Sequence, residues 1–171
     1  SRRDPVEEIT ASRARLATRL GTKDLRWVVS PYRICPLGAH IDHQGGPVLG
    51  MAITGHTLLA FRESGDGSCR FLSENYPGEV GFDINASNFE SWPEASPTWS
   101  SYAVGASVLM REKISGCGSG VDVWSVGFLP GSGLRSSASV TLGYITALAA
   151  VNGVKLEDRG RVFLAQRVEN E

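Results

Sequence analysis

Residues 129–151 read LPGSGLRSSASVTLGYITALAAV, and the fold class turns on how this stretch is understood. The residues before it, Val121 to Phe128, alternate in polarity and predict a strand. Pro130 to Leu134 is a glycine-rich turn, and Ser136 to Val151 predicts a helix with almost no polar side, which only burial accommodates. The unit is therefore strand, tight turn, buried helix. Glycines let backbone N–H groups approach a ligand closely, and a helix N-terminus favours anions. Ser136 and Ser137 add hydroxyls suited to phosphate or Mg²⁺. A plain tight turn with serine N-caps is the alternative. A P-loop is excluded, because no Gly-Lys-Ser/Thr follows. A dinucleotide fingerprint is nearly formed, but its third glycine is Ser136, and that reading requires a parallel βαβ sheet.

Downstream, Asn152-Gly153 caps the helix and another begins at Leu156, still running where the sequence stops at Glu171. Upstream, Trp99, Tyr102, Ala103, Ala106 and Met110 follow helical spacing, and Gly116 to Gly120 is a turn. Asn85 to Pro97 reads as a loop. Earlier still, strands are expected at Leu25 to Ser30, Val48 to Thr54, His56 to Arg62, Cys69 to Ser73 and Glu79 to Ile84, with Gly65-Asp66-Gly67 as a hairpin signal. Asp4, Pro5 and Glu7 start an N-terminal helix whose stripe is Ile9, Leu16 and Leu20, ended by Gly21. Strands in a meander followed by helices predict an α+β fold. Residues 1–24 form a helix and linker, and residues 25–171 form the domain proper.

Hydrophobic residues make up 42% of the 171 and charged residues 20%, enough for a sizeable core and too apolar for wholesale disorder. A net charge of −1 excludes the basic excess that nucleic acid or an anionic membrane demands. The longest run without a charge, proline or amide side chain, Ser136 to Val151, is too short and too rich in Ser, Thr and Gly to span a bilayer. Cys35, Cys69 and Cys117 are odd in number and widely spaced, which predicts free thiols and a reducing, cytoplasmic setting. No signal-peptide pattern opens the chain and no initiator Met is present, so a fragment or trimmed product is an open reading.

A second polar segment runs from Pro31 to Gly46, PYRICPLGAHIDHQGG. Arg33, His40, Asp42 and His43 crowd into eleven residues. Arg33 suits phosphoryl charge, and His40 and Asp42 suit hydrogen bonds to hydroxyls. A metal site from His40, Asp42 and His43 lacks a fourth ligand at recognisable spacing. A solvated polar loop is the alternative.

Together the two segments resemble the galactokinase branch of the GHMP kinases. That branch carries Pro-Gly-Arg-x-x-x-x-Gly-Glu-His-x-Asp-x-x-x-Gly and Pro-x-Gly-x-Gly-Leu-Ser-Ser-Ser-Ala motifs, here Pro31 to Gly46 and Pro130 to Ala138. Trp99-x-x-Tyr102-x-x-Gly105 and Gln166-Arg167-Val168-Glu169 resemble the helices between and after them. Within the branch, residues 30–46 are most similar to galacturonokinases. The resemblance implies an N-terminal GHMP domain like the second domain of ribosomal protein S5, a mixed sheet with helices on one side. It implies ATP and Mg²⁺ as cofactors, a sugar acid as substrate, no nucleic-acid or membrane partner, and phosphorylation of the anomeric hydroxyl.

Residue by residue, the resemblance makes Arg33 the stabiliser of the transferring phosphoryl group and a sugar contact, and His40 and Asp42 sugar-hydroxyl ligands. Gly131, Gly133, Leu134 and Ser136 become the phosphate cradle, and Ser137 and Glu169 the Mg²⁺ ligands. Galactokinases place Glu at the position of Ala39, against the neutral 6-hydroxyl. A uronate has a carboxylate there, two facing carboxylates repel, and Ala39 removes that penalty. Trp99 and Tyr102 are expected in the core. The chain departs from the pattern in a phosphate loop one residue shorter and in Arg135 at the first serine. The family's catalytic aspartate, in Gly-x-x-Asp-Gln, and the C-terminal domain that closes the cleft are both expected beyond Glu171.

Overall fold

A computed structural model describes residues 4–38, 45–86, 99–128 and 136–170. The elements are α1 (Pro5–Leu20), β1 (Arg26–Leu37), β2 (Leu49–Glu63), β3 (Ser68–Ser73), β4 (Glu79–Asp83), α2 (Ser100–Lys113), β5 (Val121–Gly127), α3 (Ser136–Val151) and α4 (Asp158–Asn170). The five strands form one mixed sheet in the order β1-β2-β5-β3-β4, antiparallel except for the β3–β5 pair. A single parallel pair removes the dinucleotide-binding alternative, which needs parallel βαβ units.

The last strand in sequence lies at the centre of the sheet. β5 enters between β2 and β3, so the expected hairpin at residues 65–67 does not pair its two strands. The turn exists, but β2 and β3 are separated by the width of β5. The close entry is made by Gly120, whose carbonyl accepts from the Ser64 N–H at 3.1 Å. A Cβ there would sit 2.1 Å from the Ser68 carbonyl oxygen, so no other residue fits between the two strands. Three charges fix the register. Arg62, Asp122 and Arg70 stand opposite one another on β2, β5 and β3. The Asp122 carboxylate, nearly buried, accepts from Arg70 Nη1 at 2.7 Å and Arg62 Nε at 3.4 Å. A slip by one residue would leave that carboxylate buried and unpaired.

β2 is one long strand where two were expected. Between the pairs Pro31↔His56 and Arg33↔Ala52, β2 advances four residues while β1 advances two, so the glycine at 55 marks a bulge and not a break. β1 likewise runs on through Pro31, which is tolerated because β1 is a sheet edge. Arg33 therefore sits on a strand and not in a loop.

Both faces of the sheet are covered. Leu59, Phe61, Phe71, Val121 and Val123 pack with α2, α3 and α4, whereas the alternate residues Leu58, Ala60 and Val126 pack with Leu16, Ile9 and Leu20 of α1. β5 is buried on both sides, which is why its polarity alternation carries no solvent face. The α1 helix begins as expected, with Asp4 Oδ1 accepting from the Val6 N–H at 2.9 Å, and ends at Gly21. Three of the four described helices thus lie on one side of the domain, and the N-terminal helix closes the other.

No residue of α3 is exposed. It touches β1, β2, β5, α2 and α4, and Ile145, Ala147 and Leu148 are fully buried. Burial of side chains of Leu or Ile size contributes about 2 kcal/mol each. Tyr144 meets Phe71 edge-on at 5.0 Å between centroids. Burial pushes its phenol up to about 12, partly offset by the hydrogen bond with Ser125. The unfolded chain gives up this proton near pH 10, so between about pH 10 and 12 the unfolded state alone is ionised and stability falls with rising pH. Two units correspond to on the order of 3 kcal/mol. Urea midpoints should drop between pH 9 and 11.5, and Tyr144→Phe should drop less. An equal drop in both proteins contradicts this account of the buried phenol.

Candidate functional site

The carboxyl ends of β3 and β5 and the amino end of α3 meet around a cleft of about 420 Å³. Tyr32 of β1, Thr57 of β2 and Ser125 and Gly127 of β5 form its floor. Ser136, Ser137, Val140 and Tyr144 of α3 form one wall, and Trp99 and Tyr102 another. Ser73, Asn75 and Tyr76, following β3, complete the rim. None of these lining residues carries a formal charge. The surface is aromatic and hydroxyl-rich, suited to a flat, polar-edged group, and the positive end of the α3 dipole opens on it.

The floor is held by a small hydroxyl network. Ser139 donates to the Ser30 carbonyl at 2.7 Å and lies 3.3 Å from Thr57, and the Thr57 and Tyr32 hydroxyls are 3.4 Å apart. This network ties α3 to β1 and β2 beneath the cleft. Burial pushes the Tyr32 phenol up, so it stays neutral at physiological pH. Gly127 is required by crowding, since a Cβ would lie 2.7 Å from the Tyr32 hydroxyl. Trp99 is held by its indole N–H, which donates to the Pro77 carbonyl at 3.1 Å.

The two residues expected to share a metal lie together. Ser137 Oγ donates to Glu169 Oε1 at 2.7 Å, joining the first turn of α3 to the last turn of α4. One hydroxyl and one carboxylate are hard oxygen donors of the kind Mg²⁺ uses beside phosphate oxygens and water. Among the described residues no cluster of three or more His, Cys, Asp or Glu forms an all-protein cation site. These donors fit an ion that arrives with a phosphorylated ligand.

Ser136 and Ser137 line the cleft. Arg33 does not; its side chain is exposed on β1, next in sequence to Tyr32, with its guanidinium against the Cys35 sulfur. Ala39, His40, Asp42, Gly131, Gly133 and Leu134 lie outside the described residues, as do His43, Gln44 and Arg135. Trp99 and Tyr102, expected in the core, stand half-buried in the cleft wall while still packing against the core. Asn75 and Tyr76 gave no signal in the sequence, because a Ser-Glu-Asn-Tyr run after a strand has no period to mark it.

Exposed apolar side chains gather where β1 and β2 extend away from the sheet: Leu37, Val48, Leu49 and Met51, with Leu37 and Leu49 paired across the strands. Val162 and Phe163 form a second exposed pair on α4. No helix among the described residues is long and apolar enough to cross a membrane.

Comparison with known proteins places these features in context. Residues 101–171 match the GHMP kinases N terminal domain, and residues 15–63 match the galactokinase galactose-binding signature. The chain is 34% identical over 165 residues to a galacturonokinase of Arabidopsis thaliana, an alignment covering 86% of the chain and 38% of the relative. It is 33% identical over 143 residues to a galactokinase of Streptococcus thermophilus, covering 83% of the chain and 36% of the relative. The crystal structure of Lactococcus lactis galactokinase complexed with galactose superposes with a TM-score of 0.79 at 29% identity, covering 95% of this chain and 42% of that one. The chain thus spans less than two fifths of the length of these curated relatives. The sheet order, the serine-led buried helix and the two matched signatures place this chain in the GHMP kinase family, as an N-terminal domain of its galactokinase branch.

Proposed function

We propose that this chain is the sugar- and ATP-binding domain, residues 25–171 preceded by a helix and linker at 1–24, of a kinase that phosphorylates the anomeric hydroxyl of galacturonic acid. The observation that carries the nucleotide half is the neutral, aromatic cleft at the amino end of α3, with the Ser137–Glu169 pair at its mouth. An adenine ring suits the Trp99–Tyr102 wall, and the phosphates suit the α3 N-terminus and the glycine-rich stretch containing Gly131, Gly133 and Leu134. Ser137 and Glu169 would hold Mg²⁺, which supplies charge neutralisation on the phosphates when bound. Arg33 would stabilise the transferring phosphoryl group, a role for which its fixed charge and exposed position on β1 are suited. His40 and Asp42 would orient the sugar.

The sugar half rests on Ala39, where a glutamate would meet the substrate's carboxylate, and on the similarity to galacturonokinase. Galactokinase is the second reading, favoured by the similarity to galactokinases at 33% identity. The exposed ledge of Leu37, Val48, Leu49 and Met51 is where we place the packing of a C-terminal domain. A cytoplasmic setting accords with three free thiols.

Calorimetric titration with Mg·AMPPNP tests the nucleotide site. Ser137→Ala and Glu169→Gln should each weaken the magnesium complex about tenfold and change metal-free ADP binding much less. Equal loss for both ligands contradicts the metal role. The purified 171 residues alone should show no galacturonate-dependent ATP turnover, and rates of roughly 1–100 s⁻¹, ordinary for kinases, contradict that. When the chain is joined to the C-terminal part of the galacturonokinase relative, Ala39→Glu should move the preference towards galactose by about tenfold or more. An unchanged ratio removes the argument from Ala39.

A further inference from the structure

β5 is gripped at both ends by an asparagine side chain that pairs with a backbone N–H and C=O at once. At its start, Asn152 Oδ1 accepts from the Ser119 N–H at 2.7 Å and Asn152 Nδ2 donates to the Ser119 carbonyl at 3.1 Å. At its end, Asn75 Oδ1 accepts from the Gly127 N–H and Asn75 Nδ2 donates to the Gly127 carbonyl at 3.0 Å. The first clamp lies at the C-terminus of α3, away from the cleft. The second lies on the cleft, where Asn75 and Gly127 line the same space as Ser136 and Ser137 at the amino end of α3.

We propose that Asn75 is a positioning residue for the phosphates of the nucleotide, acting through Gly127; this rests on the nucleotide reading of the cleft. The clamp fixes both the height and the direction of the chain as it leaves the sheet. The next residue is fixed too, since the Phe128 N–H donates to the His56 carbonyl at 2.9 Å. Asn75 is itself well anchored: its N–H donates to Ser73 Oγ at 3.2 Å, and the Glu74 N–H donates to the Ser125 carbonyl at 2.9 Å. From the opposite face of the sheet, Arg15 of α1 pairs with the Glu74 carboxylate at 2.7 Å. A side-chain amide sets a donor and an acceptor side by side in one plane, matching the C=O and N–H of one residue, and neither Asp nor Ala can replace both bonds. Backbone N–H groups bind phosphate productively only when held before the ligand arrives, and a displacement of about 1 Å at such a site is costly.

The test compares Asn75→Ala with Asn152→Ala by calorimetric titration of the purified chain against Mg·ADP and against adenosine, with thermal melts of each variant. Asn152→Ala carries the same chemistry at the wrong end of β5. Asn75→Ala should lose tenfold or more in Mg·ADP affinity with adenosine affinity held within twofold, whereas Asn152→Ala should leave the ratio of the two affinities unchanged even if it melts lower. In wild type, the Gly127 amide proton should resonate downfield by NMR and return towards the random-coil position in Asn75→Ala. If Asn75→Ala fails to fold, Asn75→Asp, which keeps an acceptor for the Gly127 N–H, takes its place with the same expected split. An unchanged Mg·ADP affinity, or parallel losses of Mg·ADP and adenosine, overturns the positioning role and leaves the nucleotide reading standing. Failure of wild type to bind either ligand overturns that reading and this proposal with it.

Discussion

The α3 helix has no polar face, and everything else follows from covering it. A helix with Ile145, Ala147 and Leu148 fully buried and no exposed residue must lie between a sheet and two further helices. The sheet supplies β1, β2 and β5 beneath it, and α2 and α4 close its flanks. That burial leaves the helix one free direction, along its axis. Its amino end therefore opens on the cleft floored by Thr57, Ser125 and Gly127, where the positive end of the helix dipole favours an anion. The cleft is a consequence of the packing, and the Ser137–Glu169 contact is its chemical edge.

The same constraint accounts for the position of β5. A helix crossing over β1, β2 and β5 needs a floor that is apolar on its own side, and β5, buried on both faces, completes it beside β2. The strand is seated by groups that have no freedom to slip: Gly120 at its entry, Asp122 between two arginines, and an asparagine clamp at either end. Much of what holds the floor of the cleft in place is thus built into one strand.

Local structure was largely legible from residues alone. The Asp4–Pro5 start of α1, the bounds of α3 and the helical spacing from Trp99 to Met110 are short-range signals, and the chain obeys them. Strand neighbours were not legible, because the hairpin signal at residues 65–67 is local while the insertion of β5 between β2 and β3 is decided some fifty residues later by packing. The glycine at 55 looked like a break for a similar reason, since a bulge and a turn share the same residue type. The motif resemblance points to Ser136, Ser137 and Glu169, and the structure sets the two serines on the cleft with Glu169 against Ser137. Trp99 and Tyr102 read as core because an aromatic stripe facing a cleft has the same period as one facing an interior, and both do pack against the core. Asn75 pairs with two backbone atoms of Gly127, and a single amide in a connecting segment carries no pattern.

The account stands on the amino end of α3 being the nucleotide site. A crystal structure of this chain grown with Mg·AMPPNP decides it most directly. The account places the purine against Trp99 and Tyr102, the phosphates at Ser136, and a metal ion within coordination distance of Ser137 and Glu169. Nucleotide density elsewhere on the molecule, with this cleft filled only by water, contradicts it.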